Sequence, residues 1–249
     1  MNPLDQPSGS MPPTRLRPDP CAECGSRIVG ICASLDSPGL DEFAGETTRQ
    51  HVVPHGVLFR DGDHAGTVVL LMRGMAKLSR LTADGRQQVL GFRFAGDVLG
   101  FTEMKAYAYD AEMLTEGDVC RVPRPKFEAM LARFPAVQRR FLALCSRELA
   151  LAQDQLVTIG RRQAEQRVAA FLLSLREAAR RRGAPADLLE MPMTRAEIGD
   201  LLGLALETVS RSFSALRRRR LVREPETHRI ELLDIPGLAR LANGDDGTP

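Results

Sequence analysis

Histidine is scarce in this chain: His51, His55, His64 and His228 are the four in 249 residues, and no two form an H-x-H pair. Metal oxygenases and isomerases need imidazoles clustered with a carboxylate, so an enzyme of that class is disfavoured. Long apolar runs are missing too. No stretch approaches the roughly 18 residues that a membrane-crossing helix requires. Residues 1–20, MNPLDQPSGSMPPTRLRPDP, lack the apolar centre of a signal peptide. The expectation is a cytoplasmic protein, in which thiols stay reduced and a structural disulfide is the weakest account of the cysteines. Lysine is nearly absent, three against 31 arginines, so the positive charge is almost wholly guanidinium.

What is present suits more than one domain. Hydrophobic residues make up 43% and charged ones 27%, ordinary values for a chain that builds real cores. The net charge of +2 is unevenly spread: residues 161–223 hold fourteen arginines against seven acids, and the remainder is net acidic. A basic C-terminal part on an acidic body is the footprint of a nucleic-acid binder.

Along the chain, residues 1–20 read as disordered, and 244–249 as a disordered tail. Cysteines follow at once in CAECGSRIVGIC, 21–32, a spacing that holds a metal, a disulfide or a redox centre. A short helix is expected near Leu40 to Phe43. From about 48 to 123, glycines punctuate short runs such as TVVLLMRG, MAKLSRL and QQVLGFRF. That texture predicts a β-sandwich, barrel or jelly roll, with Asp84-Gly85 as a hairpin turn suited to positive φ. After Pro123, RPKFEAMLARF fits a short helix, and Pro135 opens a long one reaching about residue 160. This long helix carries two apolar stripes. One runs through Leu142, Cys145, Leu149, Ala152, Leu156 and Ile159, the other through Val137, Phe141, Leu144, Leu151 and Asp154. Two stripes imply either two partners, the chain's own β-domain and a second subunit, or two faces both buried within one monomer. Cys145 is expected to be a buried small apolar residue.

The stretch MTRAEIGDLLGLALETVSRSFSALRRRRLV, 193–222, is the most informative. Thr194 and Glu197 form a capping-box pattern; Ile198, Gly199 and Leu202 face inward; Gly203 supplies the corner of a helix–turn–helix. The second helix would bury Val209, Phe213 and Leu216 and present Glu207, Ser210 and Arg211 near its N-terminal end, where recognition helices read bases. Arginine pairs with guanine O6 and N7, and glutamate accepts from cytosine N4. Thr208 and Arg217 complete the candidate DNA contacts, with Arg217 to Arg220 aimed at phosphates. An i, i+4 salt bridge between Glu207 and Arg211 on a solvated face is the plainer alternative. LVREPETHRIELL then reads as strand, turn, strand: a wing.

This order of parts resembles the CRP/FNR family of bacterial transcription regulators, most specifically through MTRAEIGDLLGLALETVSR, and also through AGDVLGF and AEQRVAAFL. The resemblance covers nearly everything from residue 21 onward. It implies an α+β chain: a cysteine-bearing segment and a double-stranded β-helix domain of the jelly-roll, cyclic-nucleotide-binding-like type (21–134), a dimerisation helix (135–160) and a winged helix–turn–helix (161–243). It also implies a homodimer on a two-fold symmetric double-stranded DNA site, recruitment of RNA polymerase, and no catalytic activity. In the FNR branch E-x-x-S-R reads a TTGAT-like half-site; here those positions are Glu207, Ser210 and Arg211. TADGRQQV, 82–89, is a polymerase-contact loop by family position, or an ordinary hairpin.

Cyclic-nucleotide-binding members place an arginine on the phosphate soon after a GE turn. Here GDVLGFTEM is followed by no arginine before Arg121, so a buried phosphate would lack its partner. Cys21, Cys24, Cys32 and Cys120 instead resemble the four ligands of a 4Fe–4S cluster in the oxygen sensors of the family; zinc on the same thiols, or a bare thiol switch, are the alternatives. The resemblance further implies an acid on the dimer helix, here Asp154, whose two copies would repel across the two-fold axis, with Leu144, Leu151 and Thr158 as its neighbours in the dimer interface.

Overall fold

A computed structural model describes Cys21 and residues 24–245, apart from the side chain of Arg161. The end segments expected to be disordered fall outside these residues, save Gly244 and Asp245. Helices Gly25–Ile28 (α1) and Ser37–Gly45 (α2) flank a 3-10 turn, Ile31–Ser34. Eight strands follow: Thr48–Val52 (β1), Val57–Phe59 (β2), Thr67–Arg73 (β3), Met75–Leu81 (β4), Gln87–Phe94 (β5), Val98–Leu99 (β6), Asp110–Met113 (β7) and Gly117–Pro123 (β8). They form two antiparallel sheets, ordered β1-β8-β3-β6 and β2-β7-β4-β5.

Alternation of side chains along a strand explains how β3 can be apolar on both sides. Val69 and Leu71 point between the sheets, into a core with Leu78, Met113 and Val119. Val68, Leu70 and Met72 point outward, into a second core closed by helices. The hairpin between β4 and β5 forms as expected, with one correction: Gly85 alone takes positive φ, at +80°, and Asp84 does not.

Helices Arg124–Arg133 (α3) and Pro135–Arg161 (α4) pack over the outer face. The C-terminal part comprises Ala164–Arg181 (α5), strand Leu188–Glu190 (β9), Arg195–Leu202 (α6), Leu206–Arg218 (α7), the wing strands Val222–Glu226 (β10) and Arg229–Leu232 (β11), and Ile235–Asn243 (α8). Strand β9 extends the wing to three strands in the order β10-β11-β9. The apolar core here includes Val168, Leu172, Ile198, Phe213 and Leu216, and it also takes in Met75, Val89 and Phe92 from the β-domain.

The two stripes of α4 divide as the packing demands. Val137, Phe141 and Leu144 enter the core beneath the sheet, whereas Leu142, Leu149 and Leu156 are 60%, 62% and 72% exposed. Cys145 lies on this uncovered stripe and is exposed, not buried as expected. Of the four residues assigned to a dimer interface, Leu151 and Asp154 are exposed and Leu144 and Thr158 are buried. Leu144 is 7% exposed within its own chain. Leu151, Asp154 and Thr158 line a cleft of about 450 Å³ between α4, β5 and α5. At about 100° per residue, Asp154 sits some 200° from Ala152 on the uncovered stripe. Its side chain is exposed and also borders the cleft.

Candidate functional site

The cysteine site is assembled by three local devices. Cys24 caps α1, and its backbone N–H donates to Cys21 O at 3.2 Å, a turn that brings the two thiols together. Cys32 sits in the 3-10 turn, held as its carbonyl accepts from Leu35 N at 3.1 Å. Cys120 lies on β8 between Leu70 of β3 and Arg49 of β1 in register. Strand alternation puts it on the outer face, one step from the inward Val119. The four cysteines, Ser26, Arg27, Arg49, Thr47, Leu70 and Phe43 border one cavity of about 140 Å³.

Electrostatics mark these thiols as a group. Burial pushes the Cys32 thiol above its ordinary range, and Cys24, Cys120 and Cys21 add to the shift. Cys120 is pushed up to about 11 by burial and then by Cys24, with Thr47 and Arg49 opposing. Left as thiols, Cys32 and Cys120 are hard to ionise; a cation beside them would reverse that. Among the described residues, no three Cys, His, Asp or Glu side chains gather closely enough to hold a single metal ion. The four cysteines border one chamber, and thiolates are the ligand type that iron–sulfur cores and zinc both take.

The cysteine segment is fastened to the long helix. Arg140 of α4 donates to Val29 O at 2.5 Å and Gly30 O at 3.4 Å. The nearest arginine after the GDVLGFTEM turn, Arg121, donates to Gln50 Oε1 at 2.7 Å and Leu58 O at 3.0 Å. It is committed elsewhere.

The C-terminal site follows its sequence pattern closely. Thr194 Oγ1 accepts from Glu197 N at 3.1 Å, and Glu197 Oε2 accepts from Thr194 N at 2.8 Å: the capping box is complete. Gly203 ends α6 at φ +63°, a left-handed position that suits glycine. Gly199 is needed for closeness, since a Cβ there would fall 2.5 Å from Leu204 O. Val209, Phe213 and Leu216 are at most 1% exposed, and Glu207, Ser210 and Arg211 stand on the open face. Arg211 donates to Thr208 Oγ1 at 3.3 Å, and no ion pair joins it to Glu207 among the described residues.

Arg217 is only partly available for phosphate. It shares Glu224 of the wing with Arg195, whose guanidinium lies 3.5 Å over the Phe213 ring. That clip fixes β10 against α6 and α7. Arg218 and Arg220 are exposed, and Arg219 reaches Glu165 at 3.7 Å.

Several residues around these sites stand outside any sequence motif. The capping pattern marks Glu197 only as a cap, yet its second oxygen takes a hydrogen bond from Lys77 of β4 at 2.7 Å. Arg27, Arg49, Ser26 and Arg140 carry no motif at all. For Arg49, the strand period relative to Val52 is the one usable signal.

Comparison with known proteins places the architecture. Residues 49–134 match the cyclic nucleotide-binding domain, and residues 166–241 the Crp-like helix-turn-helix domain. The transcriptional activatory protein AadR of Rhodopseudomonas palustris is 38% identical over 80% of this chain and 83% of its own length. The transcriptional activator protein FnrA of Stutzerimonas stutzeri is 31% identical over 90% of this chain and 93% of its own. Among solved structures, FixK2 from Bradyrhizobium japonicum is similar with TM-score 0.72 and 30% identity, covering 78% of this chain and 96% of that one. With a β-domain, a long helix and a helix–turn–helix in that order, the chain belongs to the CRP/FNR family of transcription regulators, which are DNA-binding proteins and not enzymes.

Proposed function

We propose that this protein is a cytoplasmic, oxygen-responsive regulator whose Cys21, Cys24, Cys32 and Cys120 hold a 4Fe–4S cluster in the absence of air. The observation that carries this reading is the shared cavity bordered by all four sulfurs. Bound there, the cluster supplies an oxygen-labile, redox-active centre. Zinc on the same thiols is the competing occupant. Arg27 and Arg49 offset part of the negative charge that four thiolates bring. Arg140 ties the segment bearing Cys24 and Cys32 to α4, so the way that segment is held bears directly on the helix.

The uncovered stripe Leu142, Cys145, Leu149, Ala152 and Leu156 is the surface for a second copy. Its steps of three and four residues suit a two-helix seam. Dimerisation would set two α7 helices about one DNA turn apart, on a palindromic TTGAT-like site in which Glu207, Ser210 and Arg211 read bases. Thr208 orients Arg211, and Arg217 contributes a phosphate contact at the wing. RNA polymerase would meet the loop 82–89. The genes served on this reading are those of anaerobic or microaerobic life.

Anaerobic purification tests the reading. A brown protein with about four irons and four sulfides per chain supports it; a colourless protein, or one carrying zinc alone, rejects it.

A further inference from the structure

Among the described residues, two buried side-chain polar atoms lack a hydrogen-bond partner, and one of them is Oγ of Ser26, a residue that borders the cysteine cavity. Ser26 is 1% exposed. Buried hydroxyls are seldom left unpaired, because their desolvation then goes uncompensated. The other hydroxyl bordering the chamber, Thr47 Oγ1, already donates to Ala44 O at 3.1 Å. The backbone that carries Ser26 has little room to move. A Cβ on Gly25 would lie 2.6 Å from Ala95 Cβ, and one on Gly30 would lie 2.7 Å from Ser26 Cα. The chain around Ser26 is therefore pressed against its neighbours, which holds the residue beside the chamber.

We propose that Ser26 is a positioning residue for the cluster, its O–H donating a hydrogen bond to a cysteine thiolate or an inorganic sulfide of the bound 4Fe–4S core. This rests on the cluster reading above and adds a donor that no cysteine motif specifies. Serine stays protonated and is not a ligand. Its role is to withdraw electron density from one sulfur, which stabilises the reduced form, since hydrogen bonds to sulfur are among the levers that set cluster potentials.

The test uses the full chain reconstituted without air from ferrous iron and sulfide, titrated by one-electron reduction with dithionite. Ser26→Ala should bind iron and sulfide to the wild-type level, with its midpoint shifted to more negative potential. The expected shift is on the order of tenfold in the reduction equilibrium, about 59 mV for one electron. Ser26→Thr, which keeps the hydroxyl, should restore the wild-type potential. Equal potentials for wild type and Ser26→Ala at equal iron content overturn this assignment alone. A wild type that takes up no iron or sulfide overturns the cluster reading itself, and this assignment with it.

Discussion

Lys77 Nζ stands 2.7 Å from Glu197 Oε1 and so joins strand β4 of the β-domain to the first turn of the helix–turn–helix. Lys77 is 6% exposed, and the same ammonium lies 3.7 Å from Glu112 Oε2. One carboxylate thus serves two purposes, closing the capping box and fastening two domains. Burial alone would raise the pKa of Glu197, but Lys77 and Thr194 outweigh it and hold the carboxyl below its ordinary value.

Removing one partner of a buried pair leaves the other charge stranded. Lys77→Ala should lower stability by about 3 kcal/mol in urea denaturation, and Lys77→Met by less, because its stem still fills the space. The folded pKa of Glu197 lies below the unfolded one, so its contribution is complete at neutral pH and fades as pH falls through the carboxylate range. The stability gap between wild type and Glu197→Gln should therefore narrow from pH 7 toward about pH 4. A gap that stays constant would show that the charge is not what matters.

On the reading head, Arg211→Ala should cost about 1–3 kcal/mol on the cognate palindrome and little on scrambled DNA. Arg218→Ala, a phosphate contact by position, should weaken both duplexes equally and reduce the salt slope by about 1. Fluorescence anisotropy at several salt concentrations separates the two behaviours. Uniform loss from both variants would mean that Arg211 reads no base.

The uncovered stripe of α4 gives a prediction that sets two neighbouring leucines apart. Leu149→Glu should leave the fold intact and yield monomers in analytical ultracentrifugation. Leu144→Asp should destabilise the β-domain itself, since Leu144 lies in its core. Mild oxidation should link Cys145 to its mate in a dimer, and Leu149→Glu should abolish that product. Asp154 lies some 200° around α4 from Ala152, so Asp154→Ala should leave a seam along the uncovered stripe unchanged; a variant that dimerises in air would return Asp154 to the interface.

Thiol chemistry offers a fourth check on metal-free protein. With Cys120 pushed up to about 11, only about a thousandth of it is thiolate at pH 8, and the thiolate is the reacting form. Iodoacetamide should therefore modify exposed Cys145 well before Cys32 or Cys120. Burial and Glu148 raise Cys145 as well, so its labelling should speed up as pH rises. Peptide mass spectrometry reads the order, and equal rates at all three sites would contradict the buried chamber.

The reading head is legible in the amino-acid order alone because its signals are local. Thr194 and Glu197 are three residues apart, Gly203 closes the turn that follows, and Val209, Phe213 and Leu216 recur at helical spacing. The β-texture and the wing are legible for the same reason: a strand advertises its period within five residues. Strand β9 has three residues and no clear period, too little to mark it as a strand.

The sequence by itself determined which segments became helix, strand and turn, since spacing within one turn or one strand decides those states. It also set three cysteines within twelve residues and a fourth at the end of the β-texture. Only the tertiary structure decided that Cys120 faces outward beside Cys24 and Cys32, that Arg217 is shared with the wing, and that Lys77 meets Glu197. Most telling is α4, whose two stripes look alike in hydropathy. The docking of one of them on the sheet settled which leucines were spent inside and which remained for a second chain. Contacts between distant segments depend on the packing of whole faces, and no local period records which face will be covered.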